Sequence, residues 1–197
     1  MSNRQQTRVS DSLSYVLHTT AWRETSVIAK VFSRDHGVLL VAAKGAKRPF
    51  SGLRTVLQSF QPLLLSWSGR GEVRTLTQAE PQAILLMPSY ALMSSWYMNE
   101  LILKLLPRED AHPVLFDAYA HALACLAGGA SQAMTLRRFE WILLRESGYG
   151  MDGPEPDFSD SQQGELLRQK IRDHIDTHLP DMDLQSRKVM LSLRQGY

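Results

Sequence analysis

Lys44, Lys47 and Arg48 fall within five residues, immediately after the apolar run Val41-Ala-Ala43, and Arg54 follows shortly behind them. Cations at that density do not make or break bonds, but they suit a phosphate backbone. Each neutralises a phosphate and releases its counterion without reading the base. Arg34, beside the turn His36-Gly37, and Arg70 and Arg74, around Gly69-Arg-Gly71, add charge at other predicted loops. Trp22 and Phe50 lie close to these cations in sequence. An exposed ring there would stack a base for about 1–3 kcal/mol, although rings in small domains more often belong to the core. The net charge of +2 conceals an asymmetry: residues 1–80 carry 11 Lys+Arg against 5 Asp+Glu, and the remainder carries 11 against 15. Polyanion contact is therefore expected in the first part of the chain, against the plainer reading of a solvated charged face.

The residue constellations of enzymes are missing. There is no G-x-x-x-x-G-K-[ST] phosphate loop, no G-x-S-x-G elbow and no H-E-x-x-H helix. Gly69-Arg-Gly71 is half of a dinucleotide fingerprint, but it falls in a predicted hairpin rather than before a helix. His174 and His178 share a predicted helical face and could share a metal, yet no third ligand is identifiable. His36 reads as a turn residue, and Glu109-Asp110 as acids favouring the start of a helix. Cys125, the single cysteine, excludes an intramolecular disulfide and a cysteine-based zinc site, and its apolar neighbours Ala124 and Leu126 predict a buried position. No enzyme activity, metal or cofactor is expected. No apolar stretch approaches membrane-span length and the polar start is not a signal peptide, so a cytoplasmic protein is expected.

The elements that must position the cations are strand-like. Short runs rich in Val, Ile, Leu, Thr and aromatics predict strands near Leu13–His18, Thr25–Phe32, Val38–Ala43, Phe60–Trp67 and Glu72–Ala79. Lys44 to Val56 is too polar for a core strand and forms one longer insertion, as in an OB-like barrel. After Pro88 the period changes. Helices are predicted from about Tyr90 to Leu106, along the face Val114, Leu115, Ala118, Tyr119, Ala122, Leu123 and Leu126, and along Leu136, Phe139, Ile142 and Leu143. Gly128-Gly129 should close the second of these and Ser131 should cap the third. Asp160 with Gln163 predicts a capping box opening a helix through Leu167, Ile171, Ile175 and Leu179, and a last helix reaches about Arg194. The fold class is α+β, with a five-stranded OB-fold barrel over residues 1–87 and a helical bundle over 88–197.

Several segments occur together in a recognisable order: Trp22-Arg-Glu-Thr-Ser-Val-Ile, Phe32-Ser-Arg-Asp-His-Gly37, Val41-Ala-Ala-Lys-Gly-Ala-Lys-Arg48, Leu57-Gln-Ser-Phe-Gln-Pro-Leu-Leu-Leu65 and Gly69-Arg-Gly-Glu-Val-Arg-Thr-Leu-Thr77. Tyr97-Met-Asn-Glu-Leu101, Leu136-Arg-Arg-Phe-Glu140 and Leu143-Leu-Arg-Glu-Ser-Gly-Tyr-Gly150 continue it. The ordered set, spanning roughly residues 12–152 with an echo at Leu184-Gln-Ser-Arg187, resembles the bacterial RecO family of recombination mediators. No single piece is diagnostic. The resemblance implies an OB barrel binding single- and double-stranded DNA and promoting strand annealing. It also implies a helical domain that binds the acidic, aromatic-ended tail of the single-stranded DNA-binding protein, and cooperation with a RecR-type partner in loading recombinase. Arg137 and Arg138, with Tyr119 and Leu123 on the neighbouring helix, are the residues to which that peptide groove would map; the plainer reading makes the arginines ordinary surface cations.

Two departures stand out. Many relatives carry a long segment, often with a four-cysteine zinc site, where this chain has only Met151 to Glu165 and no cysteine. The family's basic closing motif appears here as Leu179-Pro-Asp-Met-Asp-Leu-Gln-Ser-Arg187, with Asp and Gln in place of lysines, which puts DNA contact from that end in doubt. A protein-interaction adaptor with weakened DNA binding, and a generic RNA-binding barrel, remain as alternatives.

Overall fold

A computed structural model describes residues 8–149, 154, 156–158, 161–178, 184–186 and 189; within 161–178 the side chains of 161–164, 176 and 178 lie outside the description. Five strands, β1 (Arg8–Trp22), β2 (Ser26–Ser33), β3 (Gly37–Ala43), β4 (Pro62–Ser68) and β5 (Val73–Pro81), close into a barrel in the order β1-β2-β3-β5-β4. All pairings are antiparallel except β3 with β5. This is the expected OB-type closure. Alternation fills it: Ala29 and Val31, Leu39, Val41 and Ala43, and Leu63, Leu65 and Trp67 all enter one core with Val16 and Leu76. Burying each large apolar side chain contributes roughly 1.5–3 kcal/mol.

β1 runs well beyond the Leu13–His18 expected from the sequence. Its first half pairs with β4 and its second half with β2, so one strand must serve two neighbours to close the barrel. The serines and threonines of its outer stretches mask this in sequence, because Ser12 and Ser14 are buried by hydrogen bonding rather than by apolarity. Ser12 Oγ lies 2.8 Å from Ser33 Oγ, and the Ser14 hydroxyl donates to the Ser12 carbonyl. Register shifts between Val9 and Ser12 and between Val16 and His18 bend the strand around the barrel.

The polar insertion contains a short helix, α1 (Gly52–Val56), where the sequence pattern predicts no element. Leu53 and Val56 pack partly buried against the barrel core and Leu57 joins it. Outside the barrel, Phe116 stacks at 5.5 Å from Tyr15 and 5.3 Å from Phe32. The chain accordingly groups into two compact units, one of residues 1–85 with 106–116 and one of 86–105 with 117–197. A single division at residue 87 does not describe the return of residues 106–116 to the barrel, which follows from the burial of Phe116.

The second unit is helical: α2 (Leu92–Leu105), entered through a 3₁₀ turn at Ser89–Ala91, most of α3 (Pro113–Ala127), α4 (Gln132–Glu146) and α5 (Ser161–His178). Gly129, at φ 81°, ends α3 with the Ala130 N–H on the Cys125 carbonyl at 2.9 Å, the bond that defines a Schellman cap. Ser131 sits at the N-cap of α4 but its hydroxyl makes no capping bond; instead the Thr135 hydroxyl donates to the Ser131 carbonyl. Trp141 and Leu144 pack with Leu167, Ile171 and Ile175. Cys125 is half-buried rather than core, with Sγ 3.3 Å from His121 Nε2. The Asp160–Gln163 box, and the final helix apart from residues 184–186 and 189, lie outside the described residues.

Candidate nucleic-acid interface

The β1–β2 turn and the chain leaving β3 lie at one end of the barrel, and hydrogen bonds join them. The Lys47 N–H donates to the Thr25 carbonyl at 2.9 Å, and Lys47 Nζ donates to the Arg23 carbonyl at 3.0 Å. Ala46 is buried in the barrel core between exposed Lys44 and Lys47, so the loop is anchored while its cations face water. Two successive turns follow: the Arg48 N–H meets the Gly45 carbonyl at 3.0 Å, and the Ser51 N–H meets the Arg48 carbonyl at 3.1 Å. Gly45 has φ 74°, and a Cβ there would come within 3.4 Å of the Arg48 side chain. Arg23 stacks its guanidinium on the Trp22 ring at 4.3 Å. Arg23, Lys44, Lys47, Arg48 and Arg54 are all exposed, and among the described residues none of them is ion-paired. Glu24 is the only acid in these turns.

Arg34, Arg70 and Arg74 are not brought to this surface. Strand register places the β2–β3 turn at the opposite end of the barrel, and the β4–β5 turn lies toward that end too. Arg34 pairs with Asp35 at 3.7 Å. Arg74 donates to Glu109 Oε2 at 2.9 Å and to the Gly71 carbonyl, and Arg108 pairs with Glu72. Arg70 is exposed on the β4–β5 turn. The cations expected at several loops thus fall into two regions, and Arg23 joins the first. The signal for Arg23 was its place beside Trp22 in a turn; only the Lys47 bonds reveal that this turn meets the loop.

Of the two candidate stacking rings, Trp22 is half-buried and Phe50 is more exposed than its extended-chain reference (106%). Phe50 also has φ 63°, a left-handed conformation that costs an aromatic residue on the order of 1–3 kcal/mol.

In the helical unit, Tyr119 and Leu123 are completely buried, so they do not line a surface groove as expected. The apolar stripe of α3 is core. The Tyr119 hydroxyl donates to Asn99 Oδ1 at 2.5 Å. Arg137 is committed to Glu140, which is itself buried and receives the Tyr97 hydroxyl at 2.6 Å. Burial pushes the Glu140 carboxyl above its ordinary range, against the pull of Arg137 and Tyr97. Arg138 is exposed. Glu100 accepts the Ser186 hydroxyl at 2.5 Å and the backbone N–H groups of Gln185 and Ser186 at 2.8 and 2.9 Å. Partial burial would raise its carboxyl, but these donors and Lys104 outweigh burial and hold it below the usual range. Tyr97, Asn99 and Glu100, consecutive or nearly so on α2, therefore tie four segments of this unit by polar contacts.

His174 Nε2 lies 2.6 Å from the Tyr149 carbonyl, and the His178 side chain is outside the description. Among the described residues no three His, Cys, Asp or Glu side chains are grouped to hold a metal ion, and no helix is long and apolar enough to cross a membrane.

Comparison with known proteins matches both regions to one family. The family profile described as Recombination protein O N terminal matches residues 11–84, the barrel; that described as Recombination protein O C terminal matches residues 90–154, from α2 through α4. The DNA repair protein RecO of Ralstonia nicotianae is 55% identical over 147 residues, covering 74% of this chain and 54% of that protein. The RecO proteins of Aromatoleum aromaticum (53% over 152 residues; 77% of this chain, 62% of the relative) and Azoarcus sp. (51% over 162 residues; 82% and 65%) are similarly close. The chain spans 54–65% of the length of these three relatives. With both profiles matched in order and half the aligned residues identical, the chain belongs to the RecO family of bacterial DNA repair proteins.

Proposed function

We propose that this chain is a recombination mediator that binds single- and double-stranded DNA through the cationic end of its barrel, largely without regard to sequence, and promotes annealing of complementary strands. The observation that carries the reading is the set of exposed cations Arg23, Lys44, Lys47 and Arg48, none of them ion-paired among the described residues, on loops joined by the Lys47 bonds, with Arg54 exposed on α1. Such a surface neutralises two strands at once and reduces their repulsion, which is what annealing requires. Family membership supports partnership with the single-stranded DNA-binding protein and a RecR-type protein in loading recombinase. For the acidic tail of the former, Arg138 is the exposed member of the Arg137–Arg138 pair. The test is a salt titration of single-strand binding by the full chain carrying Lys44→Ala, Lys47→Ala and Arg48→Ala. Each lost phosphate contact should remove about 0.7 from the log–log slope, about 2 for the three. An unchanged slope would refute the assignment.

A further inference from the structure

Residues 48–51 form a turn closed by the Ser51 N–H on the Arg48 carbonyl, with Pro49 second and Phe50, at φ 63°, third. That is the pattern of a type II turn, whose third position demands positive φ and is ordinarily filled by glycine or asparagine. Here the strained position holds a phenylalanine. Among the described residues its ring meets no partner, and it is fully exposed. The other aromatics of the barrel unit are unlike it: Tyr15, Phe32, Phe60, Trp67 and Phe116 are buried, and Trp22 is half-buried beneath the Arg23 guanidinium. Neither packing nor backbone preference accounts for Phe50. Pro49 fixes its own φ, the turn restrains the ring's root, and Lys47 and Arg48 stand just ahead of it.

We propose that Phe50 is a base-stacking residue that makes this end of the barrel favour unpaired nucleotides over duplex. The inference rests on the proposed DNA contact by Lys44, Lys47 and Arg48 and adds to it the chemistry of strand discrimination. In duplex DNA the base faces are stacked on one another and closed to the ring. In a single strand whose phosphates lie along the cations, a base can turn onto Phe50. Stacking of this kind is indifferent to base identity, and it involves no counterion.

The test compares the full-length wild type, Phe50→Gly, Phe50→Trp and the Lys44/Lys47/Arg48→Ala triple variant on a fluorescein-labelled oligothymidylate and on a duplex of the same length. Phe50→Gly relieves the strained φ, so its melting temperature should be unchanged or higher. Its single-strand affinity should fall by roughly 5- to 150-fold. Its duplex affinity and its salt slope should stay at wild-type values, and Phe50→Trp should retain single-strand binding. A strand carrying 2-aminopurine should show altered fluorescence with wild type and none of that change with Phe50→Gly. If the triple variant loses binding while Phe50→Gly binds the single strand as wild type does, the stacking role is wrong and the cationic reading stands. If Phe50→Gly weakens both substrates equally, the discrimination is wrong. If the triple variant also binds normally, the underlying reading fails with it.

Discussion

The two ends of the barrel carry cations in comparable number and differ in what meets them. At the end formed by the β1–β2 turn and residues 44–54, Arg23, Lys44, Lys47, Arg48 and Arg54 face solvent with a single acid, Glu24, in the same turns. Toward the other, Arg34 meets Asp35, Arg74 meets Glu109 and Arg108 meets Glu72. A cation already matched to an acid offers little field to a phosphate, while it helps hold two loops together. Counting lysines and arginines along the chain does not distinguish these cases. In the helical unit Arg137 is committed to buried Glu140, and Arg138 is exposed.

The adjacent arginines provide the sharpest break. Arg137→Ala leaves the buried Glu140 carboxylate without its cation and should destabilise the protein by about 3–5 kcal/mol. Arg138→Ala, at an exposed position, should cost less than Arg137→Ala. Denaturant titrations read both, and equal effects would mean the two arginines are not different in kind. The pH profile adds a sign. Glu140's folded carboxyl is raised, so the penalty is absent when the group is protonated in both states. It grows as pH climbs from the unfolded value to the folded one, and over a wider pH range in Arg137→Ala than in wild type.

Glu100 has the opposite sign. Its folded carboxyl is depressed, so its stabilising effect is fully present above the unfolded value and disappears as pH falls through the folded one. Glu100→Gln should cost roughly 1.5–3 kcal/mol at neutral pH, the range for hydrogen bonds to a charged group. It should also flatten stability on the acid side; an acid limb identical to that of wild type would remove Glu100 as its cause.

The smallest effect belongs to the matched end of the barrel. A double-mutant cycle on Arg74 and Glu109 should give a coupling of about 0.2–1 kcal/mol, because the pair is partly exposed. Alanine at Arg34, Arg70 and Arg74 together should lower the DNA salt slope by less than the triple change at Lys44, Lys47 and Arg48. If the two triple variants have equal slopes, the contrast between the ends has no bearing on binding.

Much of this architecture was legible beforehand. Short runs rich in Val, Ile, Leu and aromatics place β2 and β3 within a residue of their bounds, because such runs mark strands wherever apolar side chains are buried. β1 was underestimated because its outer residues are held by hydroxyl pairs and by a second strand partner, which leave no apolar trace. Tyr119 and Leu123 lie on a helical stripe, which looks the same in sequence whether it meets a partner or its own core.

Composition and local order by themselves determined a basic first half, a barrel followed by helices, and the RecO pattern. Those properties depend on residue type and on neighbours close in sequence. Which cations are left without acids was decided only by the closed barrel, because Lys47 meets Arg23, and Arg74 meets Glu109, across separations that no local pattern encodes. The outward placement of Phe50 was settled in the same way. A ring and a cation in sequence carry no direction, and the turn closed between Arg48 and Ser51 supplies it.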